Sequence, residues 1–204
     1  MQVAKQKSVE FRAGFMSHAL QFPREFFVWI DEAGSDRRDH IRKFGYALRG
    51  ETPVYHRFLV RGTRVSAIAA MCTEGVVEYE LTDSTVDTEK FFDFVRGQLL
   101  PNMQPFPGNQ SVLVMDNCSV HHVQEIKDLV THAGILLLFL PPYSPDYNPL
   151  EKLFSYVKYY LKEHYEVAEA LSNITLILKS AFDNVTSSQC NGWITQDMHE
   201  PTLK

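Results

Sequence analysis

The 204-residue chain is poor in cysteine, in long apolar runs and in positive charge. Its three cysteines, Cys72, Cys118 and Cys190, are odd in number and none stands at CxxC spacing. This argues against a disulfide framework or a cysteine-built zinc site and for a reducing compartment. The longest purely apolar run, Ile135 to Leu140, is far too short to span a bilayer, so no membrane association is expected. No basic segment followed by an apolar core opens the chain, so secretion is not expected. The four Asn-x-Ser/Thr sequons at Asn109, Asn117, Asn173 and Asn184 then read as chance matches. A GxxxxGK phosphate loop, internal repeats and low-complexity segments are all missing. The net charge of −5 weighs against a partner held mainly through phosphates.

What is present is the composition of a globular protein with a real core, 45% hydrophobic and 22% charged. The charge is uneven. Between Arg37 and Arg64 stand eight basic residues (Arg37, Arg38, Arg42, Lys43, Arg49, Arg57, Arg61, Arg64) against Asp39 and Glu51. A basic surface beside an acidic pocket and a solvated strand face both fit that stretch.

Along the chain, Phe11, Phe15, Ala19 and Phe22 fall at helical spacing and predict a short helix over Val9–Phe22. FFVWI, Phe26 to Ile30, reads as a buried strand ending at Asp31 and Glu32. Lys43 to Pro53 reads as a loop. Val54–Val60, Arg64–Cys72 and Val76–Thr82 read as strands of an antiparallel meander. Asp87–Leu100 switches to helical period with Asp87 as N-cap, and Pro101–Gly108 is a loop. SVLVMD, Ser111 to Asp116, is a strand ending in a carboxylate. A helix over Val123–Ala133, the strand Ile135–Leu140, and helices over Pro149–His164 and about Val167–Asp183 follow. Trp29 reads as core, and the polar tail after Ser187, Trp193 included, is expected to be poorly fixed. The later half alternates strand and helix, the pattern of a parallel sheet covered by helices, whose ligands sit at the carboxyl ends of strands. The fold expected is therefore an α/β mixed sheet, an antiparallel meander plus parallel strands, flanked by helices.

Two strands deliver carboxylates to that edge, Asp31 and Asp116, and Glu151 opens the helix after the next strand. If the two strands are neighbours, all three acids converge. Three clustered carboxylates repel and are costly to desolvate. A pair of Mg²⁺ ions, hard cations that prefer carboxylate oxygen, would neutralise them and could clamp a phosphodiester for displacement. Each acid also has a plainer reading. Asn148-Pro149-Leu150-Glu151 fits a helix start with Asn148 as N-cap, Pro149 at N1 and Glu151 at N3 folded back as in a capping box. Asp116-Asn117 fits an Asx-turn, and Asp31-Glu32 a strand leaving the sheet. Asp83, Asp87 and Glu89 read as turn and cap residues. His121-His122 does not read as a zinc site.

The strings VWIDE (Val28–Glu32), KFGYALRG (Lys43–Gly50), VMDNCSVHH (Val114–His122) and LPPYSPDYNPLEKLFSYVK (Leu140–Lys158) together resemble the catalytic domain of the mariner-type transposases. These are DDE superfamily endonucleases of ribonuclease H-like fold. Thirty-four residues separate Asp116 from Glu151, a spacing typical of one branch of that superfamily. The resemblance implies a leading segment over 1–25, a catalytic domain over 26–187 and a tail over 188–204. It implies Asp31, Asp116 and Glu151 as the catalytic, metal-binding acids holding two Mg²⁺ ions, with Mn²⁺ able to substitute. Glu32, Asn117, His121, Tyr143, Ser144, Asn148 and Lys158 are implied as supporting or DNA-proximal residues. The implied activity is hydrolysis at transposon ends followed by attack of the freed 3′-OH on target DNA, without a covalent protein–DNA intermediate. The implied partners are transposon-end and target DNA and a second copy of the chain. The location would be nuclear in a eukaryote and cytoplasmic otherwise. Such transposases carry an N-terminal helix-turn-helix module. Only some 25 residues precede the first strand here, so that module is expected to be missing. Two alternatives stand beside this expectation: a domesticated, catalytically silent DDE fold that binds DNA or protein, and a Mg²⁺-dependent phosphohydrolase of small esters.

Overall fold

A computed structural model describes residues 9–35, 46–52, 65–116, 124–164 and 173–198. Among the described residues, five strands form one sheet: β1 (Phe27–Ser35), β2 (Val65–Cys72), β3 (Gly75–Thr82), β4 (Val112–Met115) and β5 (Leu136–Phe139). Their spatial order is β3-β2-β1-β4-β5. β1–β2 and β2–β3 pair antiparallel, while β1–β4 and β4–β5 pair parallel. The six described α-helices are α1 (Val9–Ala19), α2 (Thr88–Phe94), α3 (Gln124–His132), α4 (Leu150–Glu163), α5 (Ile174–Asp183) and α6 (Ser187–Asp197). None of them is long and apolar enough to cross a membrane.

Alternation along the strands splits the core into two layers. Phe27 and Trp29 of β1 and Val112 and Val114 of β4 join Leu150, Leu153, Phe154, Val157 and Leu161 of α4 on one face. Met16 of α1, Phe182 of α5 and Ile194 of α6 complete that layer. Val28, Ile30, Leu113 and Met115 point the other way, onto Phe91 and Phe94 of α2 and Ile126 and Val130 of α3. The helix expected over Pro149–His164 is α4, and this stripe is its buried face.

Local chemistry explains most element ends. Asp87 Oδ1 accepts from the Lys90 amide at 3.0 Å and starts α2. The helical path continues as a π-helical turn over Val95–Leu99 and a 3₁₀ turn to Asn102, in place of one regular helix to Leu100. Gly134, at φ +73°, closes α3, where a Cβ would press to 3.3 Å from Pro105. Thr186 and Gln189 form a full capping box at the start of α6.

Several expectations need correction. β1 does not end at Asp31 but runs on to Ser35, because β2 continues to pair with it up to Ser35↔Val65. The leading helix stops at Ala19, and its Phe11 is 67% exposed while Met16 faces the core. Ser187–Asp197 is not a loose tail but the helix α6, which buries Cys190 and Ile194, and Trp193 packs against Tyr156. A polar composition hid three apolar residues at one helical face. β5, for all its apolar run, is half-buried at the sheet edge. The strand expected at Val54–Val60 and the start of the helix expected from Val167 lie outside the described residues, as does most of the basic stretch from Arg37 to Arg64.

Candidate active site

The last parallel pair of β1 and β4 is Ile30↔Met115, so Asp31 and Asp116 are the next positions on two adjacent strands. Both follow residues that face α2 and α3, so alternation turns both toward α4. Glu151 stands in the first turn of α4. A cleft of about 520 Å³ is lined by Asp31, Asp116 and Glu151 together with Leu140–Pro145 and Asn148. Sheet register, strand parity and helix packing thus bring three residues far apart in the chain to one hollow.

The wall between β5 and α4 is built by PPYSPDYNP. Pro141 and Pro142 restrict the exit from β5. Tyr143 takes a left-handed φ of +54°, a costly conformation for a bulky residue, and leaves its ring 60% exposed at the cleft. A 3₁₀ turn over Pro145–Tyr147 then buries the Tyr147 ring. Asn148, itself buried, is held by its amide donating to the Pro145 carbonyl at 3.0 Å. Its side chain links two elements: Oδ1 accepts from the Leu150 amide at 3.2 Å, and Nδ2 donates to Asp31 Oδ2 at 2.6 Å. The bond a capping box would ask of Glu151, acceptance from the Asn148 amide, is made by the Pro145 carbonyl instead. No side-chain cap bond closes the start of α4, and Glu151 faces the cleft.

The Asp31 carboxyl is pushed up to about 7. Burial is the main cause, followed by the negative charges of Glu32 and Asp116; hydrogen bonds from the Glu32 amide and Asn148 oppose the rise. The Glu32 amide donates to Asp31 Oδ1 at 2.7 Å. Among the residues lining the cleft, no lysine or arginine offsets the three acids. This set of hard oxygen donors in a negative hollow fits a divalent cation such as Mg²⁺ or Mn²⁺. The hollow is open: among the described residues, no three His, Cys, Asp or Glu side chains gather closely enough to enclose an ion by themselves.

The other predicted residues divide. Tyr143, Ser144 and Asn148 line the cleft. Glu32 alternates to the opposite face from Asp31; its amide bonds Asp31 and its negative charge helps raise the Asp31 carboxyl, but it does not line the cleft. Lys158 lies two turns along α4 from Glu151, beside Ala33 and Gly34 in a separate small hollow, and does not line the cleft. Asn117 and His121 lie outside the described residues. Asp87 is a helix cap. Sequence reasoning missed Arg12. Its guanidinium donates to Ser144 Oγ at 2.9 Å and to Asp146 Oδ1 and Oδ2 at 3.0 and 2.5 Å. No local pattern signals contacts across more than 130 positions.

The sequence matches the family described as DDE superfamily endonuclease over residues 27–172. No curated protein matches it. Among solved structures, the Mos1 transposase paired-end complex with the left transposon end is similar at a TM-score of 0.74 and 18% identity, over 97% of this chain and 61% of that one. The Mos1 transposase catalytic domain with raltegravir and Mn is similar at 0.62 and 15%, over 97% and 92%. The same pairing with Mg gives 0.60 and 15%, over 97% and 92%. The chain therefore spans about three fifths of the transposase chain in the paired-end complex. At such identities the likeness establishes the fold: the mixed five-stranded sheet with its helices is the ribonuclease H-like fold of the Mos1 catalytic domain. With the family match running from the start of β1 past the end of α4, the chain belongs to the DDE superfamily endonucleases.

Proposed function

We propose that this chain is the catalytic domain of a mariner-type cut-and-paste transposase, a Mg²⁺-dependent endonuclease and strand-transferase acting on transposon-end and target DNA. The observation that carries the reading is the placement of Asp31 and Asp116 at successive register positions beyond Ile30↔Met115, facing Glu151 across one cleft. Asp31, Asp116 and Glu151 would hold two divalent cations. The chemistry such ions supply when bound is Lewis-acid polarisation of the phosphodiester and a water made acidic enough to attack near neutral pH.

The chain's own residues prepare that chemistry. Asn148 and the Glu32 amide hold the two oxygens of Asp31 and fix its orientation. The Asn148 bond also ties the Asp31 carboxylate to the start of α4, so the strand acid and Glu151 share one framework. Tyr143 offers an exposed ring beside the acids, suited to stacking on a nucleobase of a splayed strand.

The test is Mn²⁺-dependent nicking of a supercoiled plasmid by the purified chain. Replacing Asp116 by Asn should lower the rate by about three orders of magnitude, since lost stabilisation of several kcal/mol corresponds to about tenfold per 1.4 kcal/mol. Undiminished nicking by Asp116→Asn protein would overturn the assignment.

A further inference from the structure

We infer that Arg12 of α1 is a positioning residue of the active site, acting through the Ser144–Asn148 loop. It is not among the residues that line the cleft. It holds the outer side of the loop whose inner side carries Asn148 on Asp31.

The contacts form a chain from α1 to the acids. The Arg12 fork binds both oxygens of Asp146 and the Ser144 hydroxyl, and its guanidinium lies 3.9 Å from the centre of the Tyr147 ring. Phe15, one turn further along α1, stacks on the same ring with centroids 6.0 Å apart. Arg12 and Phe15 thus grip three of the four residues preceding Asn148. The loop carries that position inward through its own backbone: the Tyr147 amide donates to Ser144 O, the Asn148 amide to Pro145 O and the Glu151 amide to Asn148 O, all at 3.0–3.1 Å. At the end of this series Asn148 Nδ2 reaches Asp31.

A planar, bidentate and stacked guanidinium suits this task, whereas an ammonium would supply charge without the fork. The Arg12 side chain is only 14% exposed although Asp146 is half-exposed, so the pair is ordered on the arginine side. α1 is in turn anchored by Met16 and Ala19, which are buried in the core layer shared with α4. A helix that contributes no acid to the site therefore sets where the site's linking asparagine stands.

The test compares Arg12→Met, Arg12→Lys and wild type by hydrogen exchange on the metal-free, full chain. Arg12→Met should lower protection of the Tyr147, Asn148 and Glu151 amides by about tenfold, the order expected when a charge-assisted bidentate contact is lost locally. Protection at Val114 in β4 should hold, and Arg12→Lys should recover only a minor part. In the same proteins Mn²⁺ alone, titrated by calorimetry, should bind about tenfold to a hundredfold more weakly, as when an outer support of a ligand is removed. Nicking, which rests on the proposed function, should lose kcat with KM for DNA unchanged. Unchanged loop protection in folded Arg12→Met protein, or a loss shared equally by Val114, overturns the inference, the second because it marks a general stability role. If wild type neither binds Mn²⁺ nor nicks DNA, the proposed function fails while the exchange comparison still decides the role of Arg12. Should Arg12→Met not fold, Asp146→Asn at the half-exposed end of the pair gives the same comparison.

Discussion

On the α2–α3 side of the sheet, Phe91, Phe94, Leu113 and Ile126 are fully buried, and the layer is closed by apolar contact. On the α4 side, strands of the same sheet meet a layer threaded with polar ties. Asn148 bonds Asp31, Arg12 bonds Asp146, and Lys152 of α4 bonds the buried Asp197 at the end of α6. The first face can be filled by any set of side chains that packs, because dispersion and burial are non-directional. The second must hold a negatively charged hollow open beside a core, which apolar packing alone would collapse. Directional bonds from α1, α4 and α6 take over there. Stability and site geometry are thus assigned to opposite sides of one sheet.

Three measurements would break or sharpen that contrast. The largest effect is expected on the apolar face: Phe94→Ala should cost about 3–5 kcal/mol in urea unfolding, through lost burial and a residual cavity. Mn²⁺-dependent nicking by the molecules that remain folded should be little changed. A selective loss of nicking without loss of stability would show that the faces are not separable.

The next effect has the opposite sign. The Asp31 carboxyl titrates near 7 in the folded chain, above its ordinary value of 3.8. The folded state therefore holds that proton more tightly than the unfolded state. Its contribution to stability is present below about pH 4 and is lost as pH rises through 7. In the presence of a chelator, Asp31→Asn should stabilise the protein by on the order of 2–3 kcal/mol at pH 8, after discounting for partial exposure. It should flatten the fall in melting temperature between pH 4 and 8 and abolish nicking. A destabilised Asp31→Asn protein at pH 8 would mean that the hollow is not under electrostatic stress.

The smallest effect concerns the α4–α6 tie. Lys152→Met leaves Asp197, whose carboxyl burial already pushes upward, without its cation. A cost of about 2 kcal/mol is expected, below that of a fully buried pair because Lys152 is a third exposed. The double variant Lys152→Met/Asp197→Leu should recover most of it. Failure of the second substitution to compensate would show that the charges serve more than each other.

Much of this was legible in the chain before folding. The α4 stripe, the Asp87 cap, the core role of Trp29 and the carboxylate that follows β4 are local patterns of burial period and capping, carried by neighbouring residues. The motif around Asn148 marked its loop as functional and placed Asn148 at the helix start, where its Oδ1 accepts from the Leu150 amide, but the reach-back bond that a capping box gives Glu151 goes to the Pro145 carbonyl. The C-terminal helix escaped notice because its apolar residues are sparse among polar ones, and only the surface of α4 and the sheet gives them somewhere to go. Arg12 could not be read at all.

The linear order of residues, by itself, determined most of the strands and helices, the apolar faces of the strongly patterned ones, and that three acids stand near element boundaries. These properties depend on spacing of two to four residues and survive without knowledge of the rest. Only tertiary structure decided that β1 lies beside β4 with Asp31 and Asp116 in adjacent register, that Asn148 bonds Asp31 while Glu151 faces the cleft, and that a helix near the N-terminus holds the loop at the site. Register and side-chain partners across a hundred or more positions follow from how layers pack, and no local preference encodes that choice.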